Sequence, residues 1–208
     1  MKFVRALAVL CLMTACGSEK TSRNNRNEDV SKKIHWQESD KRYLREYTGP
    51  TKELQNRANQ INVFSSKLLK EIQEAEGDNN PLISSVSIQP AFSLLYPAAV
   101  SVDEREISDV LGFGDKPAFY DSMRGLTQKL LQSDEHEKVE LKITNNVWSR
   151  EDLHLKENYL DTIKMHFNAR TAKMDFMGKA EPSRKLINEY IAQNTNQMIQ
   201  NLLPPGFI

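Results

Sequence analysis

Apolar side chains recur at helical spacing over most of the chain after residue 59. The first such stretch ends at Gly77, where a helix C-cap is expected. In the next, Ser87 is a suitable N-cap and Pro90 falls in the first turn, where its missing N–H costs little. The helices predicted from this spacing lie near 59–76, 88–95, 103–111, 117–130, 159–167 and 182–202.

Between the fourth and fifth of these helices the period changes from helical to two. Apolar residues alternate with polar ones at Val139, Leu141, Ile143 and Val147, which predicts a half-buried strand. A second, shorter extended piece is predicted over 170–176. The order is several helices, a strand, a helix, a strand and a helix, so the predicted fold class is α+β.

The N-terminal residues have the organisation of an export signal. Lys2 and Arg5 precede an apolar run over 6–13, which is far shorter than the roughly 20 residues of a membrane-spanning helix. The sequence LMTAC, which ends at Cys16, resembles the lipobox of bacterial lipoproteins. That resemblance implies cleavage after residue 15, a lipid on the Cys16 thiol and stable membrane anchoring. The alternative is an ordinary cleaved signal in which Cys16 has no special role.

Three segments follow from this organisation. Residues 1–15 are predicted to be a lipoprotein signal peptide. Residues 16–55 are polar, and too few of them are apolar to offset their ordering entropy, so a disordered tether is predicted. Residues 56–208 hold the periodic segments. The protein is therefore expected to be exported and anchored to a membrane or cell surface, or otherwise periplasmic or extracellular.

Composition and motifs exclude several function classes. The chain has 28 basic and 28 acidic residues, and this balance argues against nucleic acid as a partner. Its four histidines have neither H-E-x-x-H spacing nor a cysteine partner, so no metal site is predicted. No glycine-rich phosphate loop is present, and no G-x-S-x-G element surrounds a serine. We expect no cofactor and no enzymatic activity.

The stretch NPLISSVSIQP, residues 80–90, mixes three serines with apolar residues. Its pattern N-x-x-x-S-x-x-S-I resembles the start of helix B in the serpins, a family of serine protease inhibitors. Further likenesses follow in the order of that family over about 150 residues. They fall at Asn59, Phe64, Leu68, Leu69, Ala99, Glu106, Ile107, Leu111, Phe113, Asn145, Val147, Trp148, Tyr159, Leu160, Phe167, Ala169, Asp175, Phe176, Ile187, Asn188, Ile191, Thr195 and Ile199.

The resemblance implies a fold and a group of structural residues. The fold would comprise the N-terminal helices A to F of a serpin and the first strands of its central sheet, as an incomplete domain. Ser84, Ser87, Asn145 and Asn188 would belong to the shutter, where strands of that sheet part and hydroxyl groups exchange hydrogen bonds. Alternatively, the serines only cap a helix and pack closely. The sequence departs from the family at Ser85, where proline is usual.

The family implies inhibition of a serine (or cysteine) protease by a single-use trap. The protease cleaves an exposed reactive-centre loop, and the loop then inserts into the central sheet. In serpins this loop lies far beyond the position matching Ile208, so the reactive bond is absent here. We therefore expect a truncated chain that does not trap proteases as it stands. The alternative function is a non-inhibitory surface lipoprotein that serves as a binding or interaction module.

Overall fold

A computed structural model describes residues 9–17, 29–37, 46–77, 80–132 and 140–208. From residue 51 onward the helices and strands follow the order that the hydrophobic pattern predicts, and the α+β fold class is confirmed. The two strands before residue 51 were not predicted. The helices are α1 (Thr51–Glu76), α2 (Ser85–Leu95), α3 (Ser101–Leu111), α4 (Lys116–Gln132), α5 (Glu157–Phe167) and α6 (Ala180–Asn194). The strands are β1 (Val9–Gly17), β2 (Trp36–Gln37), β3 (Glu140–Arg150) and β4 (Arg170–Met174).

The four strands form one sheet in the order β1-β3-β4-β2. Strands β3 and β4 are parallel and in register from Asn146 opposite Arg170 to Arg150 opposite Met174. Helix α5 supplies the crossover that a parallel pair needs. Strand β1 pairs antiparallel with the other edge of β3, and β2 pairs antiparallel with the outer edge of β4.

The sheet separates two hydrophobic cores, and β3 contributes to both. Val147 packs with helices α1 to α5, whereas the next residue, Trp148, packs with α6 and the N-terminal segment. Successive strand residues point to opposite faces, so each face of β3 serves one core. The largest fully buried side chains of the two cores are Trp148, Tyr96, Phe113, Phe119, Leu94, Ile163, Ile187 and Ile191.

A buried arginine on α1 binds the backbone that follows α3 and a side chain of α4. Only 5% of Arg57 is exposed, and its guanidinium donates to the carbonyl oxygens of Gly112 (2.8 Å) and Phe113 (2.9 Å) and to Ser122 Oγ (3.1 Å). The guanidinium carbon also lies 4.8 Å from the ring centroid of Phe119. Burial lowers the pKa of Arg57 to about 10, so the group stays charged at neutral pH. The carbonyl groups that end α3 at Gly112 are thereby fixed to α1.

Several helix boundaries differ from those predicted. Helix α2 begins at Ser85, and its N-cap residue is Ser84 rather than Ser87. The prediction was wrong because the backbone of Ser84 is extended and its carbonyl already accepts the first helical hydrogen bonds. Helix α6 ends at Asn194 instead of continuing to 202, since Asn196 and Gln197 adopt positive φ and the Gln197 N–H turns back to Ala192 O. The predicted end of α3 at Gly112 is confirmed, with φ at 69°.

The segment 16–55, predicted to be a disordered tether, contains regular structure in part of its described length, and the division into three segments stays a prediction. Residues Val30–Lys33 form a 3-10 turn in which Val30 is fully buried, and Ile34 is only 6% exposed. Helix α1 begins at Thr51, and the Tyr47 N–H donates to Gln128 Oε1 at 2.8 Å. Composition does not predict these contacts, because a few apolar residues are enough to order a polar segment when they pack on a core that other elements form. Residues 18–28 and 38–45 of this segment lie outside the described ranges.

The predicted signal peptide overlaps β1. Residues 9–17 pair with β3 from Val9 opposite Trp148 to Gly17 opposite Glu140, and Cys16 lies opposite Leu141. Cleavage after residue 15 would remove most of this strand and leave the adjoining edge of β3 without it. Among the described residues, no helix is both long and apolar enough to cross a membrane.

The role of Arg57 gives a prediction about stability. We expect Arg57→Met to lower the free energy of unfolding by about 3 kcal/mol, because three buried acceptors lose their donor. Lys70→Met on the same helix is the matched control, since the Lys70 side chain is 73% exposed and such changes stay within about 0.5 kcal/mol. Urea unfolding followed by circular dichroism measures both, and equal midpoints would contradict the assigned role.

Candidate functional site

The candidate site is the start of α2 and its surroundings, where the serine-rich stretch lies. Ser84 is exposed and its Oγ lies 2.9 Å from Ser87 Oγ, so these two hydroxyls pair with each other. Ser85, between them, is buried, and its Oγ lies 2.5 Å from Ser65 Oγ on α1. Ser65 Oγ in turn contacts Ile61 O at 2.8 Å. The hydroxyl that connects α2 to its neighbour is therefore that of Ser85.

Three polar side chains of α2 are buried along one face of the helix. Gln89 and Ser93 are fully buried and follow Ser85 at intervals of four residues, which is one face of a helix. Gln89 Nε2 donates to Leu111 O at 3.2 Å, and Ser93 Oγ donates to Gln89 O at 2.8 Å. The sequence analysis missed these two residues. Their i, i+4 spacing inside an otherwise apolar helix was the available signal.

Three apolar side chains of α2 are partly exposed. Val86, Phe92 and Leu95 are each between 37% and 42% exposed. Part of this helix forms one wall of an apolar groove of about 500 Å³ between α1, α2 and α3. Its lining residues are Phe64, Leu68, Ile88, Phe92, Ile107, Val110 and Leu111, with Glu106 as the one charged member. Helix α2 thus buries polar as well as apolar side chains and contributes Ile88 and Phe92 to this open groove.

The two asparagines predicted to support the serines have other partners. Asn145 Nδ2 donates to Phe167 O at 2.7 Å and so holds the end of α5 against β3. Asn188 on α6 makes two hydrogen bonds of 2.9 Å with the backbone N–H and C=O of Leu203. The structure therefore brings Ser84 and Ser87 together, but it places Asn145 and Asn188 at separate contacts. A role of these four residues in strand exchange stays a prediction.

Electrostatic contacts near Leu203 are local. Arg184 NH1 donates to Leu203 O at 2.6 Å, while its Nε and NH2 atoms each lie 2.7 Å from the carboxylate of Glu181. The Arg184 guanidinium lowers the pKa of the Glu181 carboxyl below its usual value. Within the described ranges no group of three potential metal ligands is found. The arrangement can fix backbone segments, and we assign it no chemical step.

Comparison with known proteins identifies the family. Residues 59–208 match the family described as serpin (serine protease inhibitor). The chain belongs to the serpin family. It is 30% identical over 159 residues to human serpin B4, covering 70% of this chain and 40% of that protein. A serpin-like protein of Methanosarcina acetivorans is 26% identical over 150 residues, covering 71% of this chain and 35% of that protein.

Other serpins extend the comparison. The leukocyte elastase inhibitor of Xenopus tropicalis is 23% identical over 155 residues, which cover 74% of this chain and 41% of that protein. The solved structure of Arabidopsis AtSerpin1 in its native stressed conformation has a TM-score of 0.65 and 19% identity. It covers 74% of this chain and 39% of that structure, and this likeness confirms the serpin fold. The chain therefore spans less than half the length of these serpins.

The backbone at the start of α2 predicts which serine can become proline. Ser85→Pro should lower the free energy of unfolding by about 1 kcal/mol, the cost of losing the Ser85–Ser65 hydroxyl contact, because the backbone itself tolerates proline: Ser85 is the first helical residue and Ser84 is already extended. Ser87→Pro should cost about 2 kcal/mol, since it removes the hydrogen bond from Ser87 N–H to Ser84 O and disfavours the helical backbone of Val86. Thermal melts of both variants test the contrast, which equal losses would refute.

Proposed function

We propose that the whole protein is a serine-type endopeptidase inhibitor that acts by insertion of a reactive-centre loop. The observation that carries this proposal is the serpin match over residues 59–208. The name of one relative, leukocyte elastase inhibitor, indicates the same class of target for that protein. A serine protease, or a cysteine protease, would be the partner. The 208 residues alone hold no counterpart to more than half of each compared serpin, so we propose that they do not trap a protease by themselves.

Two incompletely covered surfaces support a larger domain. An apolar groove of about 500 Å³ with half-exposed Phe92 at its wall is costly to leave in water. Among the described residues, the edge of β3 away from β4 pairs with β1, most of which would leave with a cleaved signal peptide. Both surfaces suit burial by further residues of a serpin domain. This is the physical reason to regard the 208 residues as part of an inhibitor.

A test of this function compares two products. The mass of the native protein is first measured by immunoblot with an antibody to residues 59–203. Any product heavier than the 23.9 kDa of the 208-residue chain is purified, and the 208-residue chain is purified separately. Each is incubated with a serine protease of the elastase type, and complexes that survive denaturing electrophoresis are sought. We expect the longer product to form such a complex and the 208-residue chain to form none. A stable complex with the short chain would contradict the proposal, as would a longer product that is only digested.

The alternative is a non-inhibitory surface lipoprotein that serves as a binding or interaction module. The same groove favours it, because an open apolar surface of this size can receive a partner without any reactive loop. A native product at or just below 23.9 kDa on immunoblots would select this alternative.

We also propose that the protein is a lipoprotein anchored through Cys16. The support is the sequence LMTAC behind a short basic and apolar leader. Two or more acyl chains on one residue give stable membrane anchoring, whereas a single chain does not. The protein would then be exported and held at a membrane or cell surface, with residues 1–15 removed.

Fractionation of bacterial cells that express the protein tests the anchor. Cys16→Ser should move the protein from the membrane fraction to the soluble fraction and abolish incorporation of labelled palmitate. Cys11→Ser is the matched control, because Cys11 lies inside the leader and should leave both readouts unchanged. Retention of the Cys16→Ser protein and its label in the membrane fraction would contradict the lipoprotein assignment.

A further inference from the structure

A short segment ahead of the serpin match is built into the fold. Residues 29–37, here called the strap, precede residue 59, where the family match begins. Val30 and Ile34 of the strap belong to the core formed with α6, and the Val30 N–H donates to Gln193 Oε1 on α6 at 3.1 Å. Strand β2, at the end of the strap, adds to the free edge of β4.

Trp36 gives the strap its largest contact with the domain. Its ring centroid lies 5.3 Å from that of Trp148 on β3 and 5.1 Å from that of Tyr190 on α6. Its Nε1 donates to Ser31 O at 3.1 Å, and the Arg170 guanidinium carbon lies 3.7 Å from the ring centroid. Tilted aromatic pairs and a cation over an indole face each add to the free energy of burial. The strap is therefore held by several independent contacts.

We propose that the strap is where the tether from the membrane anchor joins the folded domain, so that the side of the domain formed by α6 and β4 faces the membrane. The proposal rests on the lipid anchor at Cys16. Thirteen residue steps separate Cys16 from Asp29, and a fully extended chain of this length reaches about 45 Å. A tether running free to Thr51 would reach about 120 Å. Docking of the strap thus shortens the distance that the domain can move from the membrane and selects the side of the domain that faces it.

The charge of the strap fits a lipid surface. Its 3-10 turn ends in Lys32 and Lys33, both on the exposed side, and Arg170 is exposed beside it. Asp29 is the acidic residue of the strap, and its side chain accepts a hydrogen bond from the Ser31 N–H. Cations within a Debye length of an anionic bilayer are attracted to it. The partner that these charges suit is therefore a bilayer with anionic phospholipid headgroups.

The test attaches the chain chemically, so that it does not depend on native lipidation. The product that begins at Cys16 has this residue as its sole thiol, which is coupled to a maleimide lipid in vesicles that contain phosphatidylglycerol. A donor fluorophore is placed through an encoded azide at Met177, beside α6, or at Val110 on α3 in the other layer, both of them exposed. Energy transfer to an acceptor on the lipid headgroups then reports which side faces the bilayer.

We expect transfer from position 177 to exceed that from position 110 by at least about twofold, given the 45 Å limit. The double variant Trp36→Ala, Ile34→Ser should bring the two values to equality, while His35→Ala, an exposed strap residue, should leave the ratio unchanged. An insertion of about twenty Gly and Ser residues between Glu28 and Asp29 keeps every strap contact and should lower transfer at both positions.

Three results would overturn the proposal. These are equal transfer from both positions in the parent product, a ratio that persists in the double variant, and loss of helical circular dichroism when residues 1–15 are removed, because the strap needs the folded layer beneath it. Failure of native lipidation at Cys16 would leave these measurements unchanged, since the lipid is coupled in the test tube. The outcome for the strap and the outcome for the anchor are therefore separate.

Discussion

The structure depends on burial of both faces of one strand. In β3 the five residues from Asn145 to Ser149 are each less than 9% exposed, so both cores are built on the same backbone. Such a strand cannot slip by one residue, because a slip would exchange Val147 and Trp148 between the two cores. The register of β3 therefore fixes the positions of the helices on both faces of the sheet, α1 to α5 on one and α6 on the other.

The helical layer adds a second constraint, which is the satisfaction of polar groups inside it. Arg57 binds the carbonyls at the end of α3, and Gln89 binds Leu111 O one residue before that end. Because an unpaired buried acceptor costs more than a formed hydrogen bond gains, these polar side chains fix how α1, α2 and α3 approach one another. The apolar groove between these three helices is left open.

The N-terminal segment connects fold and location. A composition rich in polar residues predicts disorder when it is averaged over 16–55, yet the strap inserts Val30 and Trp36 beside Trp148. The core formed with α6 is thus completed by residues outside the family match. A lipid anchor would restrain the domain through this segment, because a tether holds a domain at the place where the chain docks on it. The position of the strap consequently matters more for the orientation of the domain at a membrane than the length of the polar stretch over 16–55.

The sequence by itself determined the α+β class, the order of the elements from α1 onward, the end of α3 at Gly112 and the serpin family, because periodicity and local motifs are read along the chain. It placed Ser84 and Ser87 at the start of α2 but selected the wrong N-cap, since several serines there can cap equally well. Only the tertiary structure decided that Ser85 and Gln89 are buried, that Asn145 and Asn188 hold separate segments, and that the strap docks. These outcomes depend on contacts between residues far apart in sequence, and the i, i+4 spacing of Ser85 and Gln89 was the one local sign of any of them.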